Sequence, residues 1–102
     1  MKAAKKRKLE ASGWKVSSVA DVLSLSEEEE AYIELKLSLA EGLKELRTKE
    51  KITQAELAKK IHSSQPRVAK MEAGDASVSV DLLIKSIFAL GATRKDLAKF
   101  IS

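Results

Sequence analysis

In the stretch "HSSQPRVAKMEAG", residues 62–74, four closely spaced residues could read nucleic acid: Gln65, Pro66, Arg67 and Lys70. A Gln amide can pair bidentately with adenine, and Arg or Lys can reach the O6 and N7 acceptors of guanine in the major groove. Pro66 has no polar side-chain atom and could offer only apolar contact, for instance to a thymine methyl. Val68 and Met71, interleaved with these, are apolar. If the segment is helical, the polar residues face outward and the apolar pair faces inward.

Pro66 is the only proline. It would break the interior of a helix but is harmless in a first turn, whose N–H groups have no intrahelical partner. The stretch therefore starts a helix within residues 64–66. If Ser64 is the cap, Gln65 and Pro66 are the first two helical residues, and Ser64 must accept from the amide of Arg67. A residue before proline resists helical φ/ψ, so Gln65 is the alternative cap.

Other chemistries find little support. With no Cys, a disulfide framework, a thiolate zinc site and a cysteine nucleophile are excluded. A single His, His62, cannot build a multi-histidine metal site and is expected to be a turn residue rather than a catalytic base. The four glutamates 27–30 point in different directions on a helix and suit a helix start better than a metal site. No phosphate-cradling glycine loop occurs. The chain is expected to be no enzyme, with no cofactor, no metal, no catalytic residue and no evident small-molecule ligand.

The elements that must position the reading residues are all helical. "SEEEEAYIELKLSLAEGLKELRTKEK" opens on a Ser26/Glu29 capping box and carries Leu35, Leu39, Leu43 and Leu46 on one face. Gly42 in its interior is unfavourable by about 1 kcal/mol against Ala, which suggests close packing there. "TQAELAKKI" opens on a Thr53/Glu56 box with Leu57, Ala58 and Ile61 on one face. "HSS" interrupts it, the reading helix follows, and Gly74 suits its end. Ser79 is the expected cap of "SVDLLIKSIFALG", which ends at Gly91, and a Thr93/Asp96 box opens a last helix with Leu97, Phe100 and Ile101. A short helix capped by Ser17 or Ser18 is expected around Val19, Val22 and Leu23. The chain should thus be all-α, with five or six helices.

Charge is segregated. Net charge is +4 over 102 residues, but residues 1–15 carry +5, residues 16–41 carry −6, residues 42–74 carry +4 and residues 75–102 carry +1. The polar, basic residues 1–13 read as a flexible arm, residues 14–34 as an extension holding the start of the first long helix, and residues 35–102 as the domain. Positive charge around the reading stretch suits nucleic acid. No apolar run approaches a membrane span or the core of a signal peptide, so a soluble, cytoplasmic chain without membrane contact is expected.

Helix, three-residue break, helix is the spacing of a helix-turn-helix. "TQAELAKKIHSSQPRVAKMEAG" resembles the helix-turn-helix of the Cro/C1 repressor type, the XRE family, and the resemblance covers roughly residues 35–101. It implies a lambda-repressor-like five-helix DNA-binding domain, here with an N-terminal helical extension. It further implies that Gln65, Pro66, Arg67 and Lys70 face bases. Phosphate and positioning contacts would come from Gln54, Ser63, Ser64, Lys49 and Lys59. The turn position usually held by Gly is His62, which would need φ > 0. The family binds palindromic double-stranded operators as dimers. Leu83, Phe88, Phe100 and Ile101, from adjacent large apolar pairs of which one member tends to leave the core face, are the candidate dimer interface.

The extension, with "MEAGDASVSVDLLIKSIFALGA", is similar to HigA-like antitoxins of bacterial type II toxin–antitoxin modules. That similarity implies a nucleoid-associated bacterial repressor that autoregulates its operon and neutralises a RelE/HigB-type toxin. Trp14, Val22, Leu23 and Tyr32 are the toxin-binding candidates. The alternative is a plain dimeric XRE-type regulator with no toxin partner.

Overall fold

The computed structural model describes residues 26–102; the basic arm, the short helix expected near Val19 and the candidates Trp14, Val22 and Leu23 lie outside these. The described residues form five helices in the order α1 (Glu27–Lys49), α2 (Gln54–Lys60), α3 (Gln65–Glu72), α4 (Val80–Ala89) and α5 (Arg94–Ile101). No strand occurs among them.

Each helix starts where a side chain can satisfy its open amides. Ser26 Oγ accepts from Glu29 N at 3.1 Å, and four glutamates in the first turn complement the helix dipole. Thr53/Glu56 and Thr93/Asp96 form complete capping boxes, and Ser79 accepts from Leu82 N at 3.1 Å. Gly74, at φ 70, and Gly91, at φ 88, follow the ends of α3 and α4 in the left-handed region, as the sequence suggested.

The core is aliphatic. Leu39, Ala40 and Leu43 of α1 meet Leu57 and Ala58 of α2, Val68 and Met71 of α3, and Leu83 and Ile87 of α4, with Val78 and Leu90 closing the cluster. Leu43, Leu57, Val68, Met71, Leu83 and Ile87 are completely buried. Truncating any one of the leucines, Met71 or Ile87 among them to Ala would cost about 2–5 kcal/mol. The close packing expected at Gly42 is real: a Cβ there would lie 2.5–2.9 Å from Cγ, Cδ1 and Cδ2 of Phe100. The absence of that one carbon lets α5 lie on α1.

One expectation needs correction. Leu83 was a dimer candidate, yet it is 0 % exposed. Of the adjacent pairs, Leu83 and Ile87 turn inward, while Phe88 and Ile101 are 40 % and 46 % exposed. Adjacent residues stand about 100° apart on a helix, so one member of a pair can fill the core only by turning the other away. Phe100 is half-buried over Gly42 rather than presented to solvent.

Candidate nucleic-acid interface

The opening proline is resolved by the backbone. α3 starts at Gln65 with Ser64 as its N-cap, and Ser64 Oγ accepts from Arg67 N at 3.3 Å. Pro66 therefore sits in the first turn and removes no ladder bond. Between α2 and α3 the chain turns through His62 at φ 55, the left-handed conformation expected at that turn position. Ser63 N donates to Ala58 O at 2.8 Å and closes the turn. Val68 and Met71 pin α3 to the core, and Ala58 is small enough for α2 to pass close beneath.

Gln65, Pro66, Arg67 and Lys70 are all exposed, so the four base-reading candidates share the solvent side of α3. Lys59, at the end of α2, and Lys49, at the end of α1, are exposed too, as is Ser64; Ser63 is half-buried.

Gln54 is less free than a phosphate contact alone would suggest. It is half-buried at the first position of α2. Its Nε2 donates to Glu72 Oε1 at 3.1 Å, and its Oε1 accepts from Gln65 Nε2 at 2.6 Å. Glu72 in turn accepts from Arg47 Nε at 2.5 Å and from Arg47 Nη2 at 3.0 Å. Arg47 Nη1 donates to Ile52 O at 2.8 Å. A continuous chain of polar contacts thus runs Arg47–Glu72–Gln54–Gln65 across α1, α3 and α2 and ends on one of the base-reading candidates.

Sequence reasoning missed the inner half of this chain. The signal was present: Arg47 lies four residues after Leu43, and Glu72 four after Val68, so each continues an apolar stripe. Opposite charges at two core-spaced positions are what a buried ion pair looks like in one dimension. The side chains of Glu72 and Arg47 are 3 % and 15 % exposed. The hydrogen bonds that Arg47 donates to Glu72 push its pKa above the ordinary value, outweighing the desolvation that opposes them. No buried side-chain nitrogen or oxygen among the described residues lacks a partner.

The geometry leaves defined capacity at the surface. Gln65 Nε2 has two hydrogens, one of them given to Gln54. The second hydrogen and Gln65 Oε1 together match the N7 acceptor and N6 donor of adenine. Gln54 keeps one N–H of its own after the bond to Glu72. Among the described residues no His/Cys/Asp/Glu cluster could hold a metal ion, and no helix is long and apolar enough to cross a membrane.

Residues 43–85 match the family model described as Helix-turn-helix. The matched stretch begins in α1, contains α2 and α3 whole, and ends in α4. It supports a DNA-binding transcriptional regulator with a Cro/C1-type helix-turn-helix. Comparison with curated proteins and with solved structures finds no match.

Proposed function

We propose that the chain is a sequence-specific transcriptional repressor that reads duplex DNA with α3 in the major groove. The observation that carries this reading is the polar chain ending on Gln65. A flexible, solvated glutamine would lose rotamer entropy on meeting a base, whereas Gln65 is already held by Gln54, which Glu72 and Arg47 hold in turn. Gln65, Arg67 and Lys70 carry base choice, Pro66 offers apolar contact, and Gln54, Ser63, Ser64, Lys49 and Lys59 supply positioning contacts to the backbone.

The test is selection of a preferred duplex from a randomised pool, followed by binding of alanine variants. Arg67→Ala should lose about 1–3 kcal/mol on the selected duplex and little on random sequence. Equal losses on both would reassign Arg67 to a phosphate. An unchanged Gln65/Arg67/Lys70 triple alanine variant would remove α3 as the reader.

Reading a palindrome requires two α3 helices about 34 Å apart. The proposed protein is accordingly a homodimer, with Phe88 and Ile101 as the exposed apolar residues of the C-terminal helices. Sedimentation at micromolar concentration checks this: Phe88→Asp with Ile101→Asp should shift a dimer to monomer.

We further propose the antitoxin role, in which the N-terminal extension binds a RelE/HigB-type toxin. The similarity of the extension to HigA-like antitoxins supports it, and Tyr32, 49 % exposed on α1, is the described member of the candidate surface. Co-purification from the native operon decides between this and the plain dimeric regulator. A small partner protein that is lost with Tyr32→Ala supports the antitoxin, and its absence supports the plain regulator.

A further inference from the structure

Among the described residues, two that are not glycine take the left-handed conformation, Lys51 at φ 58 and His62 at φ 55, and they flank α2 at either end. Both are exposed. That conformation crowds Cβ against the following carbonyl oxygen, a cost that glycine escapes. His is one of the residues enriched there; Lys is not. Nor does the fold use the Lys51 side chain. Among the described residues no hydrogen bond or ion pair engages its ammonium.

The turn that carries Lys51 is fixed. Lys51 N donates to Thr48 O at 3.0 Å, and Ile52 N donates to Arg47 O at 3.3 Å. Ile52 O accepts from Arg47 Nη1 at 2.8 Å. The same guanidinium bonds Glu72, which holds Gln54 and through it Gln65. The residue after Lys51 is therefore clamped by the arginine at the root of the polar chain. Gln54 stands three residues on, at most about 11 Å of chain. Each strand of a duplex carries a phosphate per about 3.4 Å of axis, so Lys51 is rooted within about three phosphate steps of the one that Gln54 would meet. A strained residue persists where function selects its side chain.

We propose that Lys51 is a phosphate-binding residue: it occupies the left-handed turn before α2, at a cost to stability, because its ammonium contacts the DNA backbone beside Gln54. The proposal rests on the reading of α3 as the recognition helix. The contact carries no base information and adds affinity on any sequence.

The experiment uses the full chain, the duplex most enriched from a randomised pool and a scrambled duplex of the same composition, with salt varied between about 50 and 200 mM. Lys51→Gly relieves the conformation and removes the charge. Lys51→Met keeps the conformation and the apolar stem and removes only the charge. Lys51→Arg keeps both. Lys51→Gly should raise the Tm by about 4 °C. Lys51→Gly and Lys51→Met should both flatten the slope of log affinity against log salt by about 0.9 per bound protomer. That slope amounts to about fivefold weaker binding per protomer at about 150 mM salt, equally on both duplexes. Lys51→Arg should keep the slope and bind within about twofold of the parent chain.

Parent-like affinity and slope in Lys51→Met overturns the proposal, because the charge would then do nothing. A loss confined to the enriched duplex overturns it too, since a phosphate contact is blind to sequence. A Lys51→Gly variant no more stable than the parent removes the strain from which the argument starts, and the proposal falls with it. A parent chain that binds no duplex, or all duplexes equally, would instead refute the recognition reading itself, a result separable from all of these.

Discussion

Replacing Glu72 by Ala tests the polar chain at its hub. Three hydrogen bonds converge on this carboxylate, at 2.5, 3.0 and 3.1 Å, from Arg47 Nε, Arg47 Nη2 and Gln54 Nε2. Removing one partner of a buried ion pair costs about 3–5 kcal/mol, because the other charge is left unpaired. Arg47 is 15 % exposed and keeps its bond to Ile52 O, so the lower end, about 3 kcal/mol, applies. For a domain of this size that corresponds to a fall in Tm of about 12–24 °C, measured by thermal and urea unfolding followed by circular dichroism. The double variant Arg47→Met/Glu72→Leu replaces the pair by apolar side chains of similar volume. It should recover to within about 2 kcal/mol of the parent, with the lost donor to Ile52 O as the main residual. Stability and recognition then separate: Gln54 still lacks its anchor, and affinity for the preferred duplex should stay about tenfold down, the scale of one hydrogen bond to a charged group. A loss below about 1 kcal/mol in Glu72→Ala would refute the buried-pair argument. Parent-like DNA affinity in a stable double variant would refute the claim that the chain prepositions Gln65.

Gly42→Ala should destabilise by about 1–3 kcal/mol despite the gain in helix propensity, since the added Cβ meets the Phe100 ring at its root; a stabilised variant in urea unfolding would contradict that packing. His62→Gly should stabilise by about 1 kcal/mol, as an exposed residue at φ 55 is strained and Gly is not; a fall in the urea midpoint would mean that the imidazole makes a contact worth more than the strain. Asp96 accepts from Thr93 N at 2.8 Å and Thr93 Oγ1 at 3.0 Å, which hold its pKa below the ordinary value. A depressed folded pKa contributes stability above the unfolded value of about 3.9 that is lost as pH falls through the folded value. The gap between parent and Asp96→Asn should therefore be full near neutrality and shrink below about pH 4 in urea midpoints, whereas a gap constant with pH would show that the charge is not involved.

The helices and their order were legible in one dimension because their signals are local. A Ser or Thr three residues before an acid, a glycine after an apolar stripe and a proline where a first turn can absorb it each act through contacts within four residues. Thr53, Thr93 and Gly74 accordingly stand where the sequence put them, and of the two caps it left open for α3 the backbone takes Ser64. The same locality placed Gln65, Arg67 and Lys70 outward, since Val68 and Met71 had to turn inward. What the sequence left open depends on which surfaces meet. Leu83 and Phe88 are equally apolar, and only the packing of α4 against α1 decides that the first is buried and the second exposed. Arg47 and Glu72 are 25 residues apart, Gln54 and Gln65 are 11 apart, and Lys36 reaches Ala76 across 40. A charged side chain is favoured inside only when a partner of defined geometry is already there. That partner is a property of the assembled helices, so the buried charges that hold α3 could be settled only in three dimensions.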